Sequence, residues 1–401
     1  MKKLFALLLA LTMLFLTACN NTPSGPVTGT DDSQNTGTVS ELELKDTIIY
    51  PHRYSFLDLP SRVLFRMSVA YGKVRNLYYS KADGCAYVYC FDPLCEHSGG
   101  TCLGNPNLFD FSRIFLINNR FYYHTGYGQI ISFSFDGTDM KTEYNTDYGI
   151  STNPWGQCFA VAPYIYIDQR SYASEDGKAH TLRFNVETGE MVDLTEKTGN
   201  YMYLTFFYNG MIYGFDEGVG FFKADIDLNS CEEIERIPYS EQFLGSRFFT
   251  EAYDDEWNKI GIEIYDMKTG ESEIITNETI GIENDLYILY VDENYIYFYQ
   301  QESIYLGDRL FKDRVVPCTK GNDGSIYRVN HDGTGLVCIY EEDEFAITGF
   351  EAIIAGDKFL IEGQNIRVHD LQVETWDDGF LVGTIGADGK ISELKPVEVV
   401  G

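Results

Sequence analysis

Basic side chains are scarce in this chain: 30 Lys and Arg stand against 61 Asp and Glu, a formal net charge of −31. So acidic a surface is repelled by nucleic acid and by anionic lipid head groups, and neither is expected as a partner of the folded part. Helical periodicity is nearly absent too, with Pro60 to Met67 the one short stretch that suits a helix. That sets aside the alternating strand-and-helix build of transporter-linked binding proteins. Beyond its first residues the chain has no apolar run long enough to cross a bilayer. Common catalytic signatures are missing: there is no Gly-x-Ser-x-Gly, no His-Glu-x-x-His and no phosphate-binding glycine loop. His52, His124, His180, His331 and His369 are scattered singly, as surface or hairpin histidines are. Asp225-x-Asp227-x-Asn229 opens like a calcium loop, but Ser230 stands where glycine is required and Arg236 where glutamate is required. Asp254-Asp255-Glu256 and Glu341-Glu342-Asp343-Glu344 read as solvated loop tips.

What is present begins with Lys2 and Lys3, an apolar stretch from Leu4 to Leu16, and the run Leu16-Thr17-Ala18-Cys19. A basic end, a short apolar core and small residues at a cut site form an export signal over 1–18. The last four residues resemble the lipobox of bacterial lipoproteins, which implies a diacylglyceryl group on the Cys19 thiol. Two acyl chains anchor stably. Residues 19–46 hold the lipidated cysteine and a Thr-, Ser-, Gly- and Asn-rich run too polar to offset its ordering entropy, hence a flexible stalk. The expected location is the extracellular face of the cell membrane.

Residues 47–401 carry a repeat. Ile130-Ile131-Ser132-Phe133-Ser134-Phe135-Asp136-Gly137 is echoed by Leu182 to Gly189, Ile262 to Gly270 and Ile326 to Gly333. Each is an alternating strand running into Asp-Gly or Thr-Gly, which supplies the positive φ of a tight hairpin. Aromatic strands such as Arg120-Phe121-Tyr122-Tyr123 and Tyr295-Ile296-Tyr297-Phe298 precede most hairpins. The unit reads as loop, aromatic strand, turn, strand, Asp-Gly and closing strand. Turn glycines fall at 84, 137, 189, 270, 333 and 389, and a degenerate hairpin around Asp227-Leu228-Asn229 fills the one wide gap. Seven units of about 51 residues fit propeller blades. The predicted fold is all-β: a single β-propeller of seven blades, with six or eight left open by the same arithmetic.

One cluster has chemical content. Cys90-Phe91-Asp92-Pro93-Leu94-Cys95-Glu96-His97 followed by Cys102 is C-x4-C-x-H-x4-C. Cys3His is a complete donor set for tetrahedral zinc in a closed structural site. Asp92-Pro93 starts a tight turn that would fold Cys95 back towards Cys90. Here the chain resembles lipid-anchored propeller lipoproteins of Gram-positive gut anaerobes, which carry a Cys-x-x-Asp-Pro-Leu-Cys-x-His motif after the first blade hairpin. The present motif differs in the spacing of Cys90. The repeats are similar to TolB-type propellers and to propeller domains of unknown function, and no activity comes with the resemblance. Disulfides are the other reading of the thiols. Eight cysteines remain beside Cys19, and Cys318 and Cys338, flanking one blade hairpin, are a candidate bridge. Cys85, Cys158 and Cys231 complete the set.

These features together predict a non-enzymatic surface lipoprotein. Its blade loops bind an extracellular protein or glycan, and the Cys/His cluster serves as a structural staple, made either by zinc or by disulfides. The alternative is an extracellular glycan-active enzyme on the same fold, which needs opposed carboxylates at the channel mouth.

Overall fold

A computed structural model describes residues 56–400, apart from positions 60, 91, 93, 101, 138 and 217 and the stretches 70–72, 98–100, 106–113, 126–128, 146–158, 170–177, 196–200, 239–241, 312–313, 323–324, 342–344 and 370–371. Cys19, His52 and Cys158, the signal over 1–18 and the stalk over 19–46 lie outside the described residues. So does the start of the domain at 47.

Seven antiparallel sheets follow one another along the chain. Blade 1 is β1 (Phe56–Asp58), β2 (Arg62–Val69), β3 (Lys73–Ser80) and β4 (Ala86–Val88). Blade 2 is β5 (Ile114–Ile117), β6 (Arg120–His124), β7 (Gln129–Phe133) and β8 (Lys141–Asn145). Blade 3 is β9 (Phe159–Val161), β10 (Tyr164–Gln169), β11 (His180–Asn185) and β12 (Met191–Asp193). Blade 4 is β13 (Tyr203–Tyr208), β14 (Met211–Asp216), β15 (Gly220–Asp225) and β16 (Cys231–Glu233). Blade 5 is β17 (Gln242–Leu244), β18 (Arg247–Tyr253), β19 (Lys259–Asp266) and β20 (Glu271–Thr276), followed by a single helical turn, α1 (Asn277–Ile280). Blade 6 is β21 (Asp285–Val291), β22 (Tyr295–Phe311), β23 (Arg314–Asn322), β24 (Ile326–Asn330) and β25 (Val337–Tyr340). Blade 7 is β26 (Phe345–Ala355), β27 (Lys358–His369), β28 (Gln372–Thr384) and β29 (Lys395–Pro396). The last strand, β30 (Val399–Val400), lies parallel to β4 of blade 1. The fold is a seven-bladed β-propeller, as the repeat predicts.

The alternation of side chains along a strand explains how the blades stack. On β6, Phe121 and Tyr123 join a core shared with blade 1, while Tyr122 joins a core shared with blade 3. On β18, Phe248 faces blade 4 and Phe249 faces blade 6. On β22, Ile296 and Phe298 pack towards blade 5, Tyr297 and Tyr299 towards blade 7. Seven apolar clusters result, one for each junction between neighbouring blades. The seventh closes the ring. Phe65 of blade 1 meets Phe380 of blade 7 edge-on at 4.5 Å, and the Ala86 amide donates to the Glu398 carbonyl at 2.9 Å. Most aromatic side chains among the described residues are therefore blade-to-blade core.

The turn glycines at 84, 137, 189, 270, 333 and 389 all have φ between 70° and 80°. In the degenerate hairpin Leu228 takes the left-handed place itself, with φ 54°. The carboxylate of Asp225 makes this tolerable by accepting from the amides of Asp227, Asn229 and Ser230. That carboxylate is engaged by its own turn.

Three expectations need correction. Each blade has at least four strands, not three. The first strand of several blades is only three or four residues long, too short to display an alternation, and so reads as loop. The Pro60–Met67 helix candidate is β2 instead, because pairing with β3 and burial of Val63, Leu64 and Phe65 outweigh local propensity. Not every lone histidine is a surface or hairpin residue, although His331, in the β24–β25 hairpin, is one. His124 is buried on β6, His180 pairs with Asp193 at 2.6 Å, and His331 sits half-buried with Nε2 on the Asp292 carbonyl at 2.9 Å.

The two ends of the blades differ. Five of the seven turns from first to second strand are two residues long, and the glycine hairpins share that end. Although the hairpin end has one ten-residue connection, between β28 and β29, the opposite end carries the longest excursions. These include the 25 residues between β4 and β5 and two β-ribbons, β22–β23 and the outer halves of β27–β28. Second strands elsewhere run 5–8 residues, against 17 for β22 and 12 for β27.

Candidate metal centre

The connection that leaves β4 folds back on blade 1 almost at once. Cys90 follows Tyr89, whose amide donates to the Asn76 carbonyl of β3 at 2.8 Å. Asp92 then turns the chain: its side chain accepts from the Leu94 amide at 2.9 Å and its carbonyl from the Cys95 amide at 3.1 Å. This is the turn that Asp-Pro predicts. His97 adopts a left-handed conformation, φ 56°, and its amide donates to Cys95 Sγ at 3.3 Å. Returning, Cys102 places Sγ 3.6 Å from His97 Nδ1.

As a result the donor atoms of Cys90, Cys95, His97 and Cys102 all lie within 4.8 Å of one another. Tetrahedral zinc with thiolates at ~2.3 Å would hold its sulfurs ~3.8 Å apart, so only a small contraction separates this arrangement from a closed coordination shell. The four residues lie close enough to bind a metal ion. Cys90, Cys95 and Cys102 are free thiols, gathered as a group rather than joined in pairs. Cys85, the near neighbour in sequence, stays outside the group and turns its thiol to the Asp83 carbonyl, 3.9 Å away. Cys231 is an exposed thiol on β16.

The four donors differ in their electrostatics. Burial raises the Cys90 thiol above its usual range and pushes Cys102 up to about 12. The His97 amide aimed at Cys95 lowers that thiol. Burial, and then the nearby Arg75 guanidinium, lower His97, which keeps its imidazole neutral and able to ligate. A metal would displace the thiol protons, as ligation always does.

What holds the loop is the part no motif reveals. Asn76, fully buried on β3, donates through Nδ2 to the carbonyls of Leu103 and Asn105, both at 3.0 Å. Its backbone amide donates to Gly104 at 3.3 Å. One residue therefore ties both ends of the loop, Tyr89 and 103–105, to the third strand of blade 1. Tyr89 and Leu103 are buried between blades 1 and 2, and the Tyr89 hydroxyl donates to the Phe135 carbonyl at 2.9 Å. Gly104 has no room for a side chain: a Cβ would stand 2.8 Å from Val88 and 3.4 Å from both Cys90 Cβ and His97 Nδ1.

Cys318 and Cys338 fall elsewhere. The side chain of Cys318 lies outside the described residues, and the expected bridge with it. Cys318 is opposite Gly307 in the β22–β23 ribbon. Cys338 is opposite Tyr327, which faces Phe298 far down β22. A bridge would require β23 to leave this register, because disulfides need Cα atoms within about 7 Å.

No protein-family model and no curated protein matches this chain. Among solved structures it is similar to BamB from Moraxella catarrhalis, at 11% identity and TM-score 0.34, over 77% of this chain and 80% of that one. It is similar also to the β-propeller domain of the Trilobed protease from Pyrococcus furiosus, at 10% identity and TM-score 0.43, over 84% and 92%. A third is oligogalacturonate lyase from Vibrio parahaemolyticus, at 9% identity and TM-score 0.42, over 86% and 92%. Likeness this distant says nothing about function, and the fold assignment rests on the seven sheets themselves.

Proposed function

We propose that this chain is a non-enzymatic binding propeller. It is displayed on the extracellular side of the membrane by a lipid on Cys19 and engages a protein or glycan through the end that carries the long connections. Zinc held by Cys90, Cys95, His97 and Cys102 fastens the longest of those connections to blade 1, and with four protein ligands it keeps no open position for catalysis. The observation that carries the reading is the inequality of the two ends. One end is built of short turns and of hairpin connections no longer than ten residues, while the other carries the 25-residue connection after β4 and extends two ribbons beyond the sheets. Extra chain on one side of a rigid scaffold is where binding residues accumulate.

The test is to screen the purified protein for binding to cell-wall polymers, host glycans and envelope proteins. Two variants are then compared: one with residues 301–324 replaced by a short turn, the other altered at the Asn209-Gly210 turn of the opposite end. Loss of binding with the first and retention with the second is the expected result. Turnover of a glycan, or binding indifferent to the ribbon and the other long connections, refutes it.

A further inference from the structure

Trp257 is 83% exposed, the most exposed aromatic side chain among the described residues, yet its backbone is tightly held. It lies in the five-residue connection between β18 and β19, at the ribbon-bearing end of blade 5. Its φ is +66°, a region that bulky residues rarely enter. Asp254 enforces this. Its side chain accepts from the amides of Glu256 and Asn258, both at 2.9 Å, and from Asn258 Nδ2 at 2.9 Å. The Trp257 amide in turn donates to the Asp254 carbonyl at 3.1 Å. Strain of this kind, kept where it contributes nothing to packing, points to a use for the side chain.

Around the indole the surroundings are aromatic and acidic. Tyr253, 45% exposed, lies 6.3 Å away with its ring inclined at 56°. Behind it Lys259 rests over the Tyr287 ring at 3.1 Å, and Tyr287 stacks on Tyr299 at 5.2 Å, so the platform spans blades 5 and 6. Asp255, Glu256 and Asp285 are exposed, and Glu251 lies close enough to Lys259 and Tyr287 to bias both.

We propose that Trp257 and Tyr253 form a subsite for a pyranose ring of a non-acidic glycan. The indole offers its face to the sugar's C–H surface, and the surrounding carboxylates accept from its hydroxyls. An acidic rim repels uronic and sulfated sugars and tolerates neutral or amino sugars. A protein partner would need an apolar core around the tryptophan, whereas its chain neighbours are Asp254, Asp255, Glu256, Asn258 and Lys259, all polar. A single sugar needs only one aromatic face and a ring of acceptors. The proposal rests on the reading that the ribbon-bearing end binds, and it names the ligand class and the residue.

The experiment is calorimetry of the purified protein with four hexasaccharides: β-linked glucose, N-acetylglucosamine, glucosamine and galacturonate. At least one of the first three binds, and Trp257→Ala weakens it by at least about tenfold, as loss of a central aromatic contact does. Trp257→Gly has the same effect while suiting the left-handed backbone, which separates lost binding from lost folding. Preference for hexagalacturonate, affinity unchanged in both variants, or binding of none of the four overturns the proposal. If a protein then engages the ribbon regardless of Trp257, only this subsite fails. If removing the ribbon and the other long connections also changes nothing, the broader reading of that end fails with it.

Discussion

Replacing Asn76 with alanine is the sharpest test of how blade 1 prepares the metal centre. The substitution leaves the backbone bonds to Tyr89 and Gly104 in place and removes only the two donors to Leu103 and Asn105. Each carbonyl so orphaned costs about 1–3 kcal/mol. Against this, Asn76 Oδ1 is itself buried without a partner, and its removal returns a cost of the same size. The net is about 2 kcal/mol, since two orphans appear and one disappears. The loop, not the sheet, bears the loss. It therefore emerges as zinc affinity weakened by about 30-fold, while the metal-free protein unfolds near its original midpoint. Competition against a chromophoric chelator measures the first quantity and urea unfolding with excess chelator the second. Zinc affinity within about twofold of the parent protein, or a loss confined to the metal-free stability, would refute the argument that Asn76 positions the ligands.

Further expectations concern other parts of the molecule. Native mass spectrometry under anaerobic conditions should find one zinc per chain, lost in His97→Ala and in Cys102→Ser, with a lower unfolding midpoint in both. Zinc retained in both variants would place the metal elsewhere. Acid should weaken the junction of blades 5 and 6, because burial and then Arg247 hold His331 below its usual pKa. The unfolded chain takes up a proton near pH 6.5 while the folded one resists, so stability is full above that pH and falls below it. Denaturant midpoints from pH 7 to pH 5 should decline in the parent protein and decline less in His331→Gln, and equal slopes would count against this. Gly214→Ala should cost several kcal/mol, since its Cβ would stand 2.3 Å from the Tyr203 carbonyl and 2.7 Å from Phe222 Cζ; an unchanged thermal midpoint would show that blade 4 gives way there.

Much of this architecture was legible because a propeller writes its period into its turns. Asp-Gly and Thr-Gly recur where the chain must enter positive φ, so the blades could be counted, including the one where Leu228 stands in for glycine. Several first strands escaped notice because three or four residues are too few to show the alternation that marks a strand. The Cys/His group was readable since its four donors lie within thirteen residues of sequence. Asn76 was not, because it lies on β3, ahead of the motif, and a single asparagine in a strand carries no pattern. Trp257 was hidden in another way: the acidic run before it reads as a solvated tip, and only the backbone geometry sets its neighbour apart.

The parallel seam between β30 and β4 makes the order of synthesis matter. The segment that joins β4 follows blade 7 in chain order, so a nascent chain carries an unfinished blade 1 until all the other blades have been made. Until then the flanks of blades 1 and 7 expose the Phe65–Phe380 junction to the medium. A variant without Val399 and Val400 would lack the parallel seam and leave closure of the ring to the packing of blade 7 against blade 1.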